Sequence, residues 1–410
     1  MQNRDAPSKR QFFIALALTA PLLLGAVFMM ARRSDLARYD FISIYTPAFL
    51  MREGLGKGIY DPLTQARVQE SIRKQSGVLL GIHPPFELAV FAPITKLGYV
   101  GAYAVLGVIN VALWMLFVCI IRPYAPIAKD PQRYLLLCFT FFPAWVALLQ
   151  GQTSLALLVA WAATFVFMKR RMDFWAGVFL GLCLMKFPMV LPFALICFLR
   201  GKVKVLLGFV SAASLLGIVS IAAIGVSGVQ TYVNLLLDIT KNPMNPPYWG
   251  ISPANMPTLQ GLLSALLGAN APFRTLHLAS TLISLLLVGF MAWRWRREDS
   301  ADGGSFNLMF AASLVASEVA APYLYTHDLT PTLLAMLLVI RSAELSRSSV
   351  WRWIVTVSVV LLYLPVYPFL VPRGALFLIA PVLLAFALAT SMVPSAQAGE
   401  VKGAFEPRLS

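Results

Sequence analysis

Residues 173–199 read DFWAGVFLGLCLMKFPMVLPFALICFL. The run is about as long as one membrane-crossing helix, yet Lys169, Arg170 and Arg171 precede it and Arg200, Lys202 and Lys204 follow it. Basic residues in short loops mark the cytoplasmic side of a membrane, so both ends belong on the same side. The segment is therefore expected to be a helical hairpin. Its bend is expected at Lys186-Phe187-Pro188, where proline breaks a continuous helix and a charge within an apolar run needs a polar partner or a water-filled cavity.

The rest of the chain reads the same way. Hydrophobic residues make up 59% of the 410 positions and charged residues 12%, too little polar surface to cover a water-soluble globule. The formal net charge of +15 does not imply nucleic acid, because the Lys and Arg sit in small clusters between apolar spans. Cys119, Cys138, Cys183 and Cys197 lie within or beside apolar stretches without CxxC spacing and are expected to be buried thiols.

Residues 11–31 follow Arg4, Lys9 and Arg10 and lack a small-residue cleavage pattern, so they are expected to be a first membrane helix rather than a signal peptide. Further spans are expected near 99–121, 134–150, 153–168, 205–227, 275–293, 306–325, 329–341, 351–370 and 374–393. The fold class is all-α, a polytopic membrane protein of about 10–13 transmembrane or half-membrane helices, in a single domain over 1–393 with a disordered cytoplasmic tail at 394–410. With the basic clusters at Arg122/Lys129/Arg133, Arg294/Arg296/Arg297 and Arg341/Arg347/Arg352 also cytoplasmic, 32–98 and 228–273 become large extracytoplasmic loops, the first with amphipathic helices. No fixed-period repeat and no matched pair of broken helices is visible.

The chemistry-bearing residues fall on the extracytoplasmic side. Asp40 precedes an amphipathic stretch, Phe41 to Met51. It is read either as a helix N-cap or as a general base that deprotonates a sugar hydroxyl. Tyr39 and Tyr45 flank it as pocket candidates. His83-Pro84-Pro85-Phe86 forces a bend at the membrane edge. Gln150-Gly151-Gln152 is a polar turn whose amides also suit sugar hydroxyls or a phosphate. The loop from Asn242 to Gln260, including Asn255, is rich in Pro, Asn, Tyr and Trp and suits a carbohydrate wall or a rigid turn equally. Tyr325, His327 and Asp328, inserted after Glu318 in an apolar hairpin, are costly there and so candidates for function. Lys186 and His327 suit a lipid-linked phosphate, one as a point charge and the other as a donor.

The order Tyr39-Asp40-Phe41, Gly58-Ile59-Tyr60-Asp61-Pro62, His83-Pro84-Pro85-Phe86, Gly151-Gln152, Lys186-Phe187-Pro188, Gln260-Gly261-Leu262 and His327-Asp328-Leu329 resembles glycosyltransferase family 87 over roughly residues 35–340. His83 stands where members often carry Tyr. The resemblance implies a GT-C-type polytopic enzyme that moves a hexose, with mannose the expected sugar, from a polyprenyl-phosphate donor to a lipid or glycan acceptor, with inversion. It implies Asp40 as catalytic base, His327, Lys186 and Gln152 in donor binding, and no metal or other cofactor. It places the protein in a cell membrane, expected to be a bacterial inner membrane, with its site facing the periplasm or exterior. The rival readings are a transporter or flippase of a lipid-linked sugar, against which the long outer loops argue, and a non-catalytic scaffold.

Overall fold

The computed structural model describes residues 39–56, 58–72, 79–241, 255–268, 272–298, 304–344, 349–364 and 366–392. The expected first span at 11–31, residues 242–254 of the second outer loop and the tail at 394–410 lie outside the described residues. Among the described residues, regular structure is entirely helical. The helical runs Pro85–Ile121, Asp173–Leu199, Val203–Ile239 and Phe273–Arg297 have the length and apolarity to cross a membrane, and two bent pairs raise the total to six. Four shorter apolar helices accompany them: Ser154–Lys169, Phe306–Ala320, Thr326–Ile340 and Leu376–Ser391.

The outer helices expose their apolar residues. Leu207, Val210, Leu215 and Ile218 on one, and Leu278, Leu282, Leu285 and Leu286 on another, face outward, as a lipid-solvated surface requires. The centre is a helical pair that lipid does not reach. Residues 308–321 are buried without exception, and so are 326–339. A helix that is apolar all round belongs inside a bundle, and the alanines and serines of Gly304–Ala320 let its neighbours approach closely. That helix packs against Phe187–Leu199, Phe273–Glu298, Thr332–Glu344 and Ile379–Ser391.

Several long runs turn back or bend. In Asp173–Leu199 a 3-10 turn at Cys183–Lys186 separates two helices, and Lys186 leaves helical geometry at φ −128 and ψ 59. Asp173 lies within electrostatic reach of Cys197, whereas a straight helix would hold them roughly 36 Å apart. The helix Asp173–Leu182 also packs along the start of Val203–Lys241, with Gly177 against Val205 and Gly181 against Ala212. The expected hairpin is therefore present, its two ends together and Lys186 at its tip. Val203–Lys241 breaks at Gly225, where φ is 73, so only its first part forms the expected 205–227 span.

The expected spans 134–150 and 351–370 are bent, by 49° at Phe141 and by 68° between Tyr363 and Tyr367. Pro143 removes a helical donor at the first bend, and the Trp145 indole N–H satisfies the freed Phe139 carbonyl at 2.7 Å. Two further expectations need correction. The Tyr39–Arg52 helix is not an amphipathic surface helix, since Phe41, Ile42, Ile44, Tyr45, Ala48 and Leu50 are all buried. Cys119 is exposed on the outer face of Gly98–Ile121, while the other three cysteines are buried, free thiols.

The basic clusters meet at one end of the bundle. Arg170 bonds the Tyr124 hydroxyl, Lys169 lies over Phe306, Arg200 over Trp295, and Arg294 donates to the Ser391 carbonyl. Gln152, Lys186 and His327 each lie at the far end of a helix that starts or ends in that basic region.

Gly177 has no room for a side chain, because a Cβ there would stand 1.9 Å from the Val205 carbonyl oxygen. Gly177→Val is expected to lower the melting temperature of the detergent-solubilised protein, reflecting a loss of at least about 1–3 kcal/mol. Gly217→Val, where nothing lies within 4 Å, should melt like the wild type in the same assay.

Candidate active site

At the end opposite the basic clusters, a cavity of about 770 Å³ opens between elements that are far apart in sequence. Most of its wall is apolar, with Leu80, Val146, Met185, Phe187, Leu236 and Leu376 among the lining residues. Its charged lining residues, Asp40, Lys186 and Asp328, are gathered at one place around His327.

Each arrives through a break in regular structure. Lys186 is the tip of the hairpin. His327 and Asp328 sit on the 3-10 turn Thr326–Leu329 between the two central helices, where the Asp328 carboxylate accepts the Tyr325 N–H at 3.1 Å and closes the turn. Gln150 ends the Phe142–Gln150 helix, and Gly151 turns the chain at φ 66. A Cβ on Gly151 would also press to 2.9 Å from that of Phe41, so glycine is required both by backbone sign and by the closeness of the Asp40 helix. Asp40 lies in the first turn of Tyr39–Arg52. It lies within that helix rather than capping it, and its side chain lines the cavity.

Lys186 Nζ stands 3.1 Å from Asp328 Oδ1, and His327 Nε2 stands 3.4 Å from the same oxygen. His327 Nδ1 is 3.0 Å from Gln150 Oε1 and 3.7 Å from Asp40 Oδ2. The Gln152 side chain stands near the Asp40 carboxylate and favours its ionised form, and the Gln152 backbone carbonyl is held by Asn110 at 2.9 Å. Burial pushes the Asp40 carboxyl up to about 6, against the pull of the Lys186 ammonium and with added repulsion from Asp328. A carboxyl so placed is ionised at neutral pH yet basic enough to take a proton.

Of the residues singled out in the sequence, the cavity brings together Asp40, His83, Gln150, Gln152, Lys186, Asn255, Tyr325, His327 and Asp328. Tyr45 is not among its lining residues and packs instead against Phe49 and Tyr99. Gln260 stands behind the wall, 3.4 Å from the lining residue His277. The Tyr39 side chain lies outside the described residues.

Sequence reading missed four residues. Ser43 and His277 line the cavity, and Glu87 with Thr153 stands behind His83, whose Nδ1 is 3.2 Å from Glu87 Oε2. The available signal for Glu87 was a carboxylate in an apolar helix, four residues after a histidine. His277 is one of only three histidines, but nothing in its neighbours marks it.

An all-helical bundle with apolar outer faces and a cavity whose floor is polar and charged defines a polytopic membrane protein with a built polar site at one end. The profile of glycosyltransferase family 87 matches residues 82–322, more than half of the chain. The chain belongs to glycosyltransferase family 87 and is a membrane glycosyltransferase. No curated protein and no solved structure matches it. The matched range holds His83, Glu87, Gln152 and Lys186, and the fold adds Asp40, His327 and Asp328 from outside it.

Infrared difference titration of the Asp40 carboxyl, assigned through Asp40→Asn, is expected to show a midpoint of about 6. Lys186→Met should move it higher and Asp328→Asn lower, since the first removes a cation and the second an anion. A midpoint at the ordinary 3.8, unmoved by either change, would contradict this electrostatic picture.

Proposed function

We propose that this glycosyltransferase is of GT-C type and transfers a hexose, with mannose the expected sugar, from a polyprenyl-phosphate donor to a lipid or glycan acceptor on the extracytoplasmic face. The observation that carries the reading is the juxtaposition of Asp40 with Lys186, His327 and Asp328 on the floor of an otherwise apolar cavity. A polyprenyl phosphate has this duality, with an anionic head and a hydrocarbon chain that the apolar walls accommodate.

Lys186 takes the phosphate as a point charge, sharing it with or releasing it from Asp328, and His327 contributes a hydrogen bond. The acceptor hydroxyl lies against Asp40 on the opposite face of the sugar. Its oxygen forms the new bond to the anomeric carbon as the carbon–phosphate-oxygen bond breaks, and the acceptor proton passes to Asp40. The configuration inverts because entry and departure are on opposite faces. The leaving group is already a phosphate, so positioning and charge stabilisation suffice without a metal. Gathering the basic clusters at the other end of the bundle supports an extracytoplasmic site, by the charge rule for membrane loops.

Transfer of radiolabelled hexose from synthetic polyprenyl-phosphate mannose and glucose to membrane lipid extracts tests the reading. Wild type should transfer from one of them, and Asp40→Asn should lose at least about 100-fold. Because the base works ionised, kcat/KM should be on a plateau above pH about 6 and fall as pH drops through that value. Lys186→Met should raise the donor KM by roughly 10- to 100-fold, as loss of a charged hydrogen bond does. Failure of both donors, with a labelled lipid instead crossing proteoliposome membranes, would replace the reading with that of a transporter.

A further inference from the structure

We propose that His83 is a specificity-determining contact for a hydroxyl of the donor sugar, and that Glu87 is the residue that positions it. The assignment rests on the glycosyl-transfer reading above and adds to it a pair of residues with a defined task.

His83 lines the cavity and Glu87 does not. Glu87 is buried behind it in the first turn of the helix Pro85–Phe91, with Oε2 3.2 Å from His83 Nδ1 and Oε1 accepting the Thr153 hydroxyl at 2.8 Å. A buried carboxylate is costly unless paired, and this one is held through Oε1 by the Thr153 hydroxyl, while Oε2 has the His83 ring as its close polar neighbour. Facing Nδ1, it fixes the imidazole ring and draws the Nδ1 proton, as carboxylates behind functional histidines do. Nε2 is then the ring nitrogen left to meet a ligand from the cavity side. Ser43 Oγ stands 3.5 Å from Nε2 and donates its own proton to the Asp40 carbonyl at 2.6 Å. The cavity-side nitrogen of His83 thus has a protein contact only at the outer limit of hydrogen bonding, and a sugar hydroxyl, which can both donate and accept, suits it better.

The backbone that carries His83 is held with unusual thoroughness. Gln69 exchanges two hydrogen bonds with Leu79, Gln65 does the same with Gly81, and the Tyr60 hydroxyl donates to the His83 carbonyl at 2.7 Å. Side chains thus satisfy alternate residues of an extended segment as a neighbouring strand would. A Cβ at Gly81 would stand 2.1 Å from the Ser43 carbonyl oxygen, so the segment lies directly on the Asp40 helix. Such rigid support suits a residue that must discriminate by geometry.

The choice of the donor sugar follows from position. Asp40 feels both Lys186 and His83, Glu87 feels Lys186, and His327 feels Lys186 and His83. The sugar is covalently joined to the phosphate that Lys186 holds, so it is the part of the substrates that must lie among these groups.

The test compares kcat/KM of wild type and His83→Ala on the polyprenyl-phosphate hexose that supports transfer and on analogues each lacking one ring hydroxyl. Wild type should use one analogue roughly 10- to 100-fold less well than the full donor, and His83→Ala should remove that discrimination. Glu87→Gln should lower kcat/KM on the full donor by roughly tenfold and leave that on the critical analogue unchanged. His83→Gln, which keeps a hydrogen-bonding group in place, should restore part of the discrimination and guards against a mere folding defect. Equal losses on every donor, or a change confined to the KM for the lipid acceptor, would overturn the assignment. If wild type transfers sugar from no polyprenyl-phosphate donor, the glycosyl-transfer reading fails and this assignment falls with it.

Discussion

The structure depends on how a few ionised groups are kept inside a bundle that is otherwise apolar. Lys186 and Asp328 stand 3.1 Å apart, and His327 reaches Asp328 with one ring nitrogen and Gln150 with the other. None of these charges would be stable singly in such surroundings. Together they require the tip of one hairpin, the turn between two central helices, a glycine-turned helix end and the first turn of the Asp40 helix to arrive at one place. The breaks that look like defects in long apolar helices are what allow this convergence. Lys186 leaves helical geometry, Gly151 has positive φ and Thr326–Leu329 winds as a 3-10 turn, each where a cavity-lining side chain is delivered.

The central helices have the complementary task. Gly304–Ala320 and Thr332–Glu344 are buried on all sides over most of their length, so the turn between them cannot shift without disturbing the core. The Thr332 hydroxyl bonds Glu318 at 2.6 Å across that pair, tying the two helices just below the His327 turn. The site is thus built on a pair of helices that are buried over most of their described length, with apolar walls around it and, on the glycosyl-transfer reading, a hydrocarbon-bearing substrate against them.

Much of this was legible in the sequence because membrane physics is a strong constraint. Charge clusters at both ends of 173–199 predicted the hairpin and its tip, and polar residues inside apolar runs marked Lys186, His327 and Asp328 in advance. Where the reading went wrong, tertiary packing decided. Tyr45 resembles a pocket residue by its place near Asp40, but its turn of the helix faces an aromatic cluster with Phe41, Phe49 and Tyr99. The bends at Phe141 and after Tyr363 were passed over because apolar composition continues through them, although Pro143 stands at the first and Pro365 and Pro368 at the second. Glu87 went unnoticed because its significance lies in what stands four residues before it and in Thr153, which only folding brings near.

The central claim is that Asp40 and Lys186 address opposite sides of one reacting sugar. The most direct measurement is a cryo-electron microscopy structure of the full chain, as Asp40→Asn to prevent turnover, bound to a short-chain polyprenyl-phosphate hexose. The account predicts the phosphate against Lys186 Nζ and His327, the sugar beside His83, and the anomeric carbon facing Asn at position 40. A phosphate seated elsewhere in the bundle, with position 40 remote from the anomeric carbon, would contradict it.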